Sequence, residues 1–486
     1  MKKTTIALSL ILCWWFAAQA QDRKLMHHKD QDKLLLWQSI DKKFAQYAKA
    51  ARQIWSFAEL GYLEYKSSAL LQSILTEAGF QVESGVAGLP TAFVATYGKG
   101  TPVIGILAEF DALPGLSQDT VPYRKPLVEG GSGHGCGHNL FGVASSAAAI
   151  ALKEYLQQNR LAGTIKVFGT PAEEGGAGKV FMAREGIFNG LDAVLHWHPA
   201  AYNAANAEGC LAMVSGKFRF YGQAAHAAAS PERGRSALDG LEAMNFMVNL
   251  LREHIPQEGR IHYVITRGGT AANVVPDYAE AEYIVRMPNH EAAMELWERV
   301  TKAAEGAAIG TGTKVQYEIT AAHMGLLPNE TLASVMHSNL TKVGGVKYDE
   351  RERAFAEELC TTMGKNLPPL KTAEEIQPFQ QSFFYASTDV GDISWLVPTT
   401  GLNTATWVPG TAAHTWQATA TDGMSIGMKG MINAAKTLAA TGLDLLTNPQ
   451  LLQKAKAELN NRRGANFQYK SMIGNIQPPF NYRKGL

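Results

Sequence analysis

Pro102-Val-Ile-Gly-Ile-Leu-Ala108, running straight into Glu109-Phe-Asp111-Ala-Leu-Pro114-Gly115, is the stretch on which the fold turns. Seven residues without a charge read as a strand buried on both faces, because a strand with one wet side alternates. The run stops at two carboxylates and a Pro-Gly turn. Two more strand-like runs end the same way. Thr164–Phe168 leads into Thr170-Pro-Ala-Glu173-Glu174-Gly-Gly176, and Ala193–Leu195 leads into His196-Trp-His198-Pro199. Asn139–Gln158, rich in alanine, reads as a long helix between the first two. Buried strands alternating with helices predict an α/β chain with a doubly wound, mostly parallel sheet. In such sheets binding sites form beyond the carboxyl ends of the strands, which is where these polar segments fall.

Upstream, Leu34, Leu35, Leu36, Trp37, Ile40, Phe44 and Tyr47 recur at helical spacing. A second helical pattern runs from Ser67 to Ala78 and stops at Gly79, and Ala92–Tyr97 is a short strand. From Met213 the pattern changes. Lys217–Tyr221, Arg260–Thr266, Asp277–Met287 and Lys314–Thr320 read as strands, with Ser236–His254 and Glu291–Ile309 as helices. That is β-α-β-β-α-β in roughly 110 residues, the split βαβ arrangement of a ferredoxin-like α+β domain. The expected organisation is a signal peptide over 1–20, a catalytic domain over 21–212 and 323–486, and an inserted lid or dimerisation domain over 213–322. In the returning part, Thr331–Val343 and Met424–Ala440 read as helices and Thr399–Thr406 as a strand. Residues 344–385 read as loop with short helices. Residues 461–486, rich in Asn, Arg, Gly and Pro, read as a surface tail.

Hydrophobic residues make up 46% of the 486 and charged ones 18%, the balance of an ordinary globular protein. Lys2-Lys3, the apolar run Ile6–Phe16 and Ala18-Gln-Ala20 form the pattern of a secretory signal peptide cut after Ala20. The run is too short to span a membrane comfortably, and Leu12 ahead of Cys13 does not suit lipid attachment. The expected location is the periplasm or the medium, with no stable membrane anchor. Without the leader, 43 basic residues face 44 acidic ones, a balance that offers nothing to nucleic acid or anionic membrane. Cys136, Cys210 and Cys360 remain. Export permits a Cys210–Cys360 disulfide; two buried thiols are the alternative.

His134-Gly-Cys136-Gly-His138-Asn139 packs three metal-capable side chains into five residues, with glycine at both gaps. Glycine lets the backbone turn sharply, so a thiolate and an imidazole two residues apart can be aimed at one point. A catalytic zinc or manganese site uses thiolate, imidazole and carboxylate ligands and leaves a place for water. Cys136, His138, one of Glu173 and Glu174, and a histidine from 196–198 supply that set. Adjacent glutamates can divide the work. One binds metal and the other takes a proton from water and hands it to the leaving amine. Asp111 is placed to orient a ligand histidine from behind. Each residue also has a plainer role. His134 reads as a turn residue, Cys136 alone would be a buried thiol, and a Glu-Glu pair is commonly just solvated. His196 and His198 project to the same side of a strand, and spacing alone leaves both open.

These motifs, in this order, resemble the aminoacylase and carboxypeptidase-type metallopeptidases with two co-catalytic metals. Within them the likeness is to the amidohydrolase branch that includes indole-acetyl-amino-acid hydrolases. The matching residues are Asp111-Ala-Leu-Pro114, Gly135-Cys136-Gly-His138, Pro171-Ala-Glu173-Glu174-Gly-Gly and His196 with Pro199 three later. Gly222-Gln-Ala-Ala-His226-Ala, Gly269-Thr-Ala-Ala-Asn273-Val-Val-Pro276, Ser387-Thr-Asp-Val-Gly391 and Gly410-Thr-Ala-Ala-His414 match as well. The resemblance implies two divalent ions, zinc or manganese, on Cys136, His138, Glu174, His196 and His414. The family's His-to-Pro spacing chooses His196 over His198. Glu173 would be general base and acid. His226, in the inserted domain, would hold the oxyanion from its own or the partner subunit. Asn273 and Arg286 would bind substrate, Arg286 being suited to a carboxylate by its fork of donors. A homodimer through the inserted domain is implied, with or without a second, A-type subunit. Glu109 stands where part of the family has histidine, and Asn139 where many branch members have aspartate.

The resulting expectation is a metal-dependent amidohydrolase that cleaves small N-acyl or N-aroyl amino acids, p-aminobenzoyl-glutamate for example, by metal-activated water with Glu173 shuttling the proton. A dipeptidase or carboxypeptidase on the same scaffold is the first rival. A non-catalytic periplasmic binding protein is the second, and it has no need of a proton shuttle. A thiol enzyme with Cys136 as nucleophile and His138 as base is the third; chelation would leave it active.

Overall fold

A computed structural model describes residues 30–483. The expected signal peptide, with its cleavage point after Ala20, lies outside the described residues. In chain order the strands are β1 (Gln81–Ser84), β2 (Phe93–Lys99), β3 (Val103–Ala108), β4 (Gly163–Gly169), β5 (Ala193–Ala200), β6 (Ala207–Cys210), β7 (Ala212–Tyr221), β8 (Arg260–Arg267), β9 (Tyr278–Met287), β10 (Lys314–His323), β11 (Gln381–Phe384) and β12 (Thr399–Ala405). The large sheet runs β1-β2-β4-β3-β5-β12.

The uncharged run ahead of Glu109 forms β3, flanked by β4 and β5, with Ile104, Ile106, Leu107 and Ala108 fully buried. β3, β4, β5 and β12 run parallel to one another. β2 is antiparallel to β4 and β1 to β2. The helix His138–Asn159 lies against β3, β4, β5 and the helix Ser425–Thr447, and most of its length is buried. Small residues on both helices allow the close approach: a β-carbon on Gly442 would stand 2.6 Å from Leu152.

Register sets which side chains stand level at the strand ends. β3 pairs with β5 from Ile104/Ala193 to Ile106/Leu195. That pairing stops at Ile106/Leu195, before Glu109 and His196 are reached. β5 runs on past its apolar core to Ala200 because β12 pairs with it residue for residue, from Val194/Thr399 to Ala200/Ala405.

β7 to β10 form a second sheet, ordered β10-β7-β9-β8 and antiparallel throughout. The helices Ala237–Leu251 and His290–Thr311 complete a β-α-β-β-α-β unit and pack on this sheet. β9 alternates half-buried and buried side chains, the pattern of a sheet with one packed face. β8 is an edge strand that exposes Val264 and Ile265, and the helix Ala237–Leu251 exposes Phe246, Met247 and Leu250.

Residues 344–385 hold the helix Glu350–Cys360, a short 3-10 turn at Leu370–Glu374, and β11, which pairs with β6. Local charge and a short apolar face, Ala356 with Leu359, fix that helix together. Asp349 and Glu352 form a capping box, and buried Glu352 meets Lys429 at 2.5 Å. The tail departs from its reading as a surface segment. After the helix Pro449–Arg463 it packs down, with Met472 and Ile473 buried. The Tyr469 hydroxyl donates to Asp392 at 2.7 Å, and Tyr482 and Arg483 donate to the carbonyl of Glu174 at 3.1 and 2.5 Å. Cys136, Cys210 and Cys360 are all free thiols, so the disulfide alternative gives way to the thiol one. No helix among the described residues is long and apolar enough to cross a membrane.

Candidate metal centre

The polar side chains begin where β3 ends. Glu109 and Asp111 flank His138, which opens its helix behind Gly137. Gly137 has φ 74°, a left-handed conformation that glycine takes without strain, and a β-carbon there would lie 2.7 Å from Pro199. His138 Nδ1–H donates to Asp111 Oδ1 at 3.0 Å, and Asp111 Oδ2 accepts the backbone N–H of Glu174 at 3.0 Å. Asp111 thus ties the Cys136–His138 turn to the Glu173–Glu174 loop. The other ring nitrogen of His138, Nε2, faces Glu109 Oε2 at 3.1 Å. His198 is set alike. Its Nδ1–H donates to Pro199 O at 2.8 Å, and its Nε2 faces Cys136 Sγ at 3.4 Å. Opposite, His414 Nε2 lies 3.2 Å from Glu174 Oε1. His414 has φ 61°, a conformation that non-glycine residues keep only when the surroundings impose it. Its N–H donates to Gly135 O at 2.8 Å.

Two sets of ligand-type atoms result, each within 4.8 Å of one another: Cys136, His138 and His198, and Cys136, Glu174 and His414. Cys136 belongs to both. A third set, Glu109, His138 and Glu173, overlaps the first. The donors fit divalent transition metals, with thiolate and imidazole on one side and carboxylate and imidazole on the other. Ligands bound at about 2.0–2.3 Å to one ion stand roughly 3.0–3.6 Å apart, and the three facing pairs, at 3.1, 3.4 and 3.2 Å, match that spacing. Glu109 Oε2, His138 Nε2 and Glu174 Oε1 are buried without a hydrogen-bond partner although each faces another ligand atom. Buried polar atoms without partners are rare; His196 Nε2 is another, and a cation in each ligand set would satisfy those of Glu109, His138 and Glu174. The charge balance agrees: Glu109, Asp111, Glu174 and Asp389 are all buried, and Lys179 pairs with Glu109 and Asp389 among them.

Burial, then the Glu174 carboxylate, pushes the Cys136 thiol well above its ordinary pKa, so a thiolate there needs a cation beside it. Burial opposes charge on His138, but Cys136, Glu109 and Asp111 outweigh it and raise its pKa well above the imidazole value. Positive charge is drawn to that point. Burial, then His138, lowers His198 and keeps it a neutral donor. Glu173 is half-buried. Burial, then Glu109, Glu174 and Asp389, lifts its pKa well above the carboxylate range.

His196, favoured by the His-to-Pro spacing, belongs to neither set; the structure brings His198 to Cys136 instead. The reason is register. His196 lies about 7 Å further back along β5, paired with Gly401 of β12. Its ring covers Gly401 of β12, where a β-carbon would be 2.4 Å away. Burial lowers its pKa to about 4. His134 is buried and braces the turn by donating Nε2–H to Ile54 O at 3.0 Å. Asn139 donates to Ala51 O and Asp422 O at 3.3 and 3.2 Å. In the inserted domain, His226 Nδ1 accepts the N–H groups of Ala228 and Ala229, and Ala227 N–H donates to Asn273 O at 3.0 Å. Neither His226 nor Asn273 joins the ligand sets. Arg286, on β9, donates to Ser387 Oγ at 2.5 Å and feels the charge of Glu173.

Two residues escaped the sequence reading. Lys179 is wholly buried and donates to Glu109 Oε1 at 2.8 Å and Asp389 Oδ1 at 2.7 Å. Its only signal was a lysine set within Gly-Ala-Gly-Lys179-Val-Phe. Glu64 accepts Ala172 N–H at 2.8 Å and Thr91 Oγ1–H at 2.9 Å, bracing the Glu173 loop. Burial, then Asp111, lifts its pKa to about 8.

The chain is similar to several known proteins. A family described as a peptidase dimerisation domain matches residues 212–311. The B-type subunit of the p-aminobenzoyl-glutamate hydrolase of Escherichia coli is 40% identical over 447 residues, 86% of this chain and 93% of that protein. An Xaa-Arg dipeptidase of Mus musculus is 31% identical over 439 residues, 86% of this chain and 90% of that protein. A solved dinuclear metal-binding peptidase of the M20 family from Bacillus subtilis shares the fold at TM-score 0.55 and 19% identity, over 84% of this chain and 99% of that one. The mostly parallel sheet, the inserted domain and the full-length relatives together place the chain in the M20 peptidase family, as a metal-dependent hydrolase of amide bonds.

Proposed function

We propose that the chain hydrolyses the amide bond of small N-acyl or N-aroyl amino acids, with p-aminobenzoyl-glutamate the first candidate. The observation that carries this is the sharing of Cys136 by two ligand sets with Glu173 beside them. The identity to the Escherichia coli relative supports the choice of substrate. Cys136, His138 and His198 would hold one ion, and Cys136, Glu174 and His414 the other, as zinc or manganese. When bound, the ions polarise the amide carbonyl and acidify a water molecule. Glu173 takes the proton from that water and returns it to the amine nitrogen as the C–N bond breaks. Asp111 and the Pro199 carbonyl hold the Nδ1–H groups of His138 and His198, which keeps both Nε2 lone pairs free. Arg286 receives the substrate carboxylate in place of Ser387. Asn273 also binds substrate, and His226 steadies the amide oxygen as charge develops, reaching the site across a homodimer.

The unpaired edge of β8 and the exposed Phe246, Met247 and Leu250 support a homodimer through the inserted domain. The subunit naming of the Escherichia coli relative supports an A-type partner as well. The leader-like first 20 residues support export to the periplasm or the medium.

A second reading, a dipeptidase, is favoured by the identity to the Xaa-Arg dipeptidase. The purified, metal-loaded chain should be assayed on p-aminobenzoyl-glutamate, acetyl-amino acids and dipeptides ending in arginine. The first reading expects the highest kcat/KM on the aroyl-glutamate. A clear preference for dipeptides would transfer the chain to the second. Activity that survives full chelation would favour the thiol rival instead.

A further inference from the structure

We propose that Glu109 is a metal ligand, held in place by Lys179 and Asp389, and that it makes the two ion sites unequal. This deepens the metal reading above and rests on it.

Glu109 is 1% exposed and directly follows the last residue of β3. Its two oxygens have different fates. Oε1 accepts from Lys179 at 2.8 Å. Oε2 has no hydrogen-bond partner and faces His138 Nε2 at 3.1 Å, which has none either. His138 carries its tautomeric proton on Nδ1, where Asp111 accepts it. In that tautomer two lone pairs confront each other in a buried place, which is unfavourable unless a cation sits between them. A proton on Nε2 would be the other remedy, but the contact lacks the geometry of a hydrogen bond. A separation of 3.1 Å is what two donors on one ion show, at roughly 3.0–3.6 Å.

The surroundings of Glu109 explain why a lysine is buried there. Lys179 Nζ meets Glu109 and Asp389, and Asp389 Oδ2 also accepts the Lys179 backbone N–H at 3.0 Å. Asp389 therefore grips Lys179 at both ends, and the fixed ammonium sets the plane of the Glu109 carboxylate. One cation between two carboxylates leaves a net negative charge, and Glu109 Oε2 presents it to His138. A ligating carboxylate is ordinarily oriented in this way, by a hydrogen bond to its second oxygen.

The count of donors then differs between sites. Cys136, His138 and His198 lie together, and Glu109 joins them through His138 alone, in the set it forms with Glu173; closing on a shared ion, it would give the first ion a fourth protein donor. Cys136, Glu174 and His414 give the second three, and the His414 side chain is 54% exposed. The closed, buried set should hold its ion tightly. The three-donor set keeps an open position for water and substrate and should exchange.

The test needs no substrate. The full metal-free chain is titrated with zinc against a chromogenic chelator. Wild type should bind two ions in two steps of unequal affinity. Glu109→Gln should weaken the tight step by more than the roughly 10–100-fold that loss of an outer partner costs and leave the weak step in place. Should that variant fold poorly, crystals of the zinc-loaded wild type decide: Glu109 Oε2 should stand about 2.0–2.2 Å from one zinc. Two wild-type steps of equal strength, a variant with both steps unchanged, or an oxygen beyond about 3 Å from both ions would overturn the assignment. A wild-type chain that binds no ion would instead sink the metal reading itself.

Discussion

His198 Nε2 stands 3.4 Å from Cys136 Sγ, while His196, two residues earlier on the same strand, buries its ring against Gly401. The two histidines should therefore behave differently. His198→Ala should lower the affinity for one ion beyond the roughly 10–100-fold that loss of an outer partner costs. His196→Phe should leave metal content near normal and act on stability. Elemental analysis after dialysis separates them. Loss of metal in the His196 variant alone would reverse the assignment.

Glu173 is unligated in both Cys136 sets and half-buried beside them. Glu173→Gln should retain both ions and lose roughly 10²–10⁴-fold in kcat, the range for a lost general base. KM should move little. A variant within a few-fold of wild type would remove Glu173 from proton transfer.

His134, His196 and His323 each take stability from the metal-free chain as pH falls. Burial lowers His134 to about 3, and His196 and His323 to about 4, against about 6.5 in an unfolded chain. Each is neutral in the folded state while the unfolded chain takes up a proton. Their contribution is complete above about pH 6.5 and drains away as pH falls towards 4 and then 3, by at most about 1.4 kcal/mol per pH unit per group. His134→Gln can keep the bond to Ile54 O and should flatten that loss. Urea midpoints at pH 7, 6 and 5 measure it; parallel losses in wild type and variant would contradict the assignment.

The tail reaches the site from behind. Tyr482 and Arg483 both donate to Glu174 O, and Arg483 also donates to Ala112 O at 3.4 Å. Tyr482 fits over Gly61, where a β-carbon would lie 2.3 Å from its hydroxyl. Arg483→Ala should loosen the Glu174 loop and weaken ion binding by about tenfold, as other outer partners do. Tyr482→Phe, which keeps the packing, should cost less. Wild-type metal retention in Arg483→Ala would show the contact to be passive.

The parallel sheet and the inserted domain were legible because their signals are local. β3 has no charge to spend on a wet face, and β9 alternates residue by residue. The loops that meet at the site were legible as strand ends. The choice between His196 and His198 was not. Both point to the same side of β5, and only the folded geometry brings His198 within reach of Cys136. Lys179 was hidden because nothing in a glycine-rich turn announces that two carboxylates, one of them 210 residues later in the chain, will enclose it. The tail was misread because its packing rests on scattered residues, Tyr469, Met472, Ile473, Tyr482 and Arg483, with no periodic apolar face to reveal it.

The central claim is a sulfur shared by two ions. Zinc K-edge absorption of the fully loaded chain tests this directly. The shared thiolate predicts a sulfur neighbour at about 2.3 Å for both ions and a zinc–zinc vector of about 3.5–4 Å, with the sulfur signal lost in Cys136→Ala. Two ions bound by nitrogen and oxygen alone, or a single isolated zinc, would contradict it.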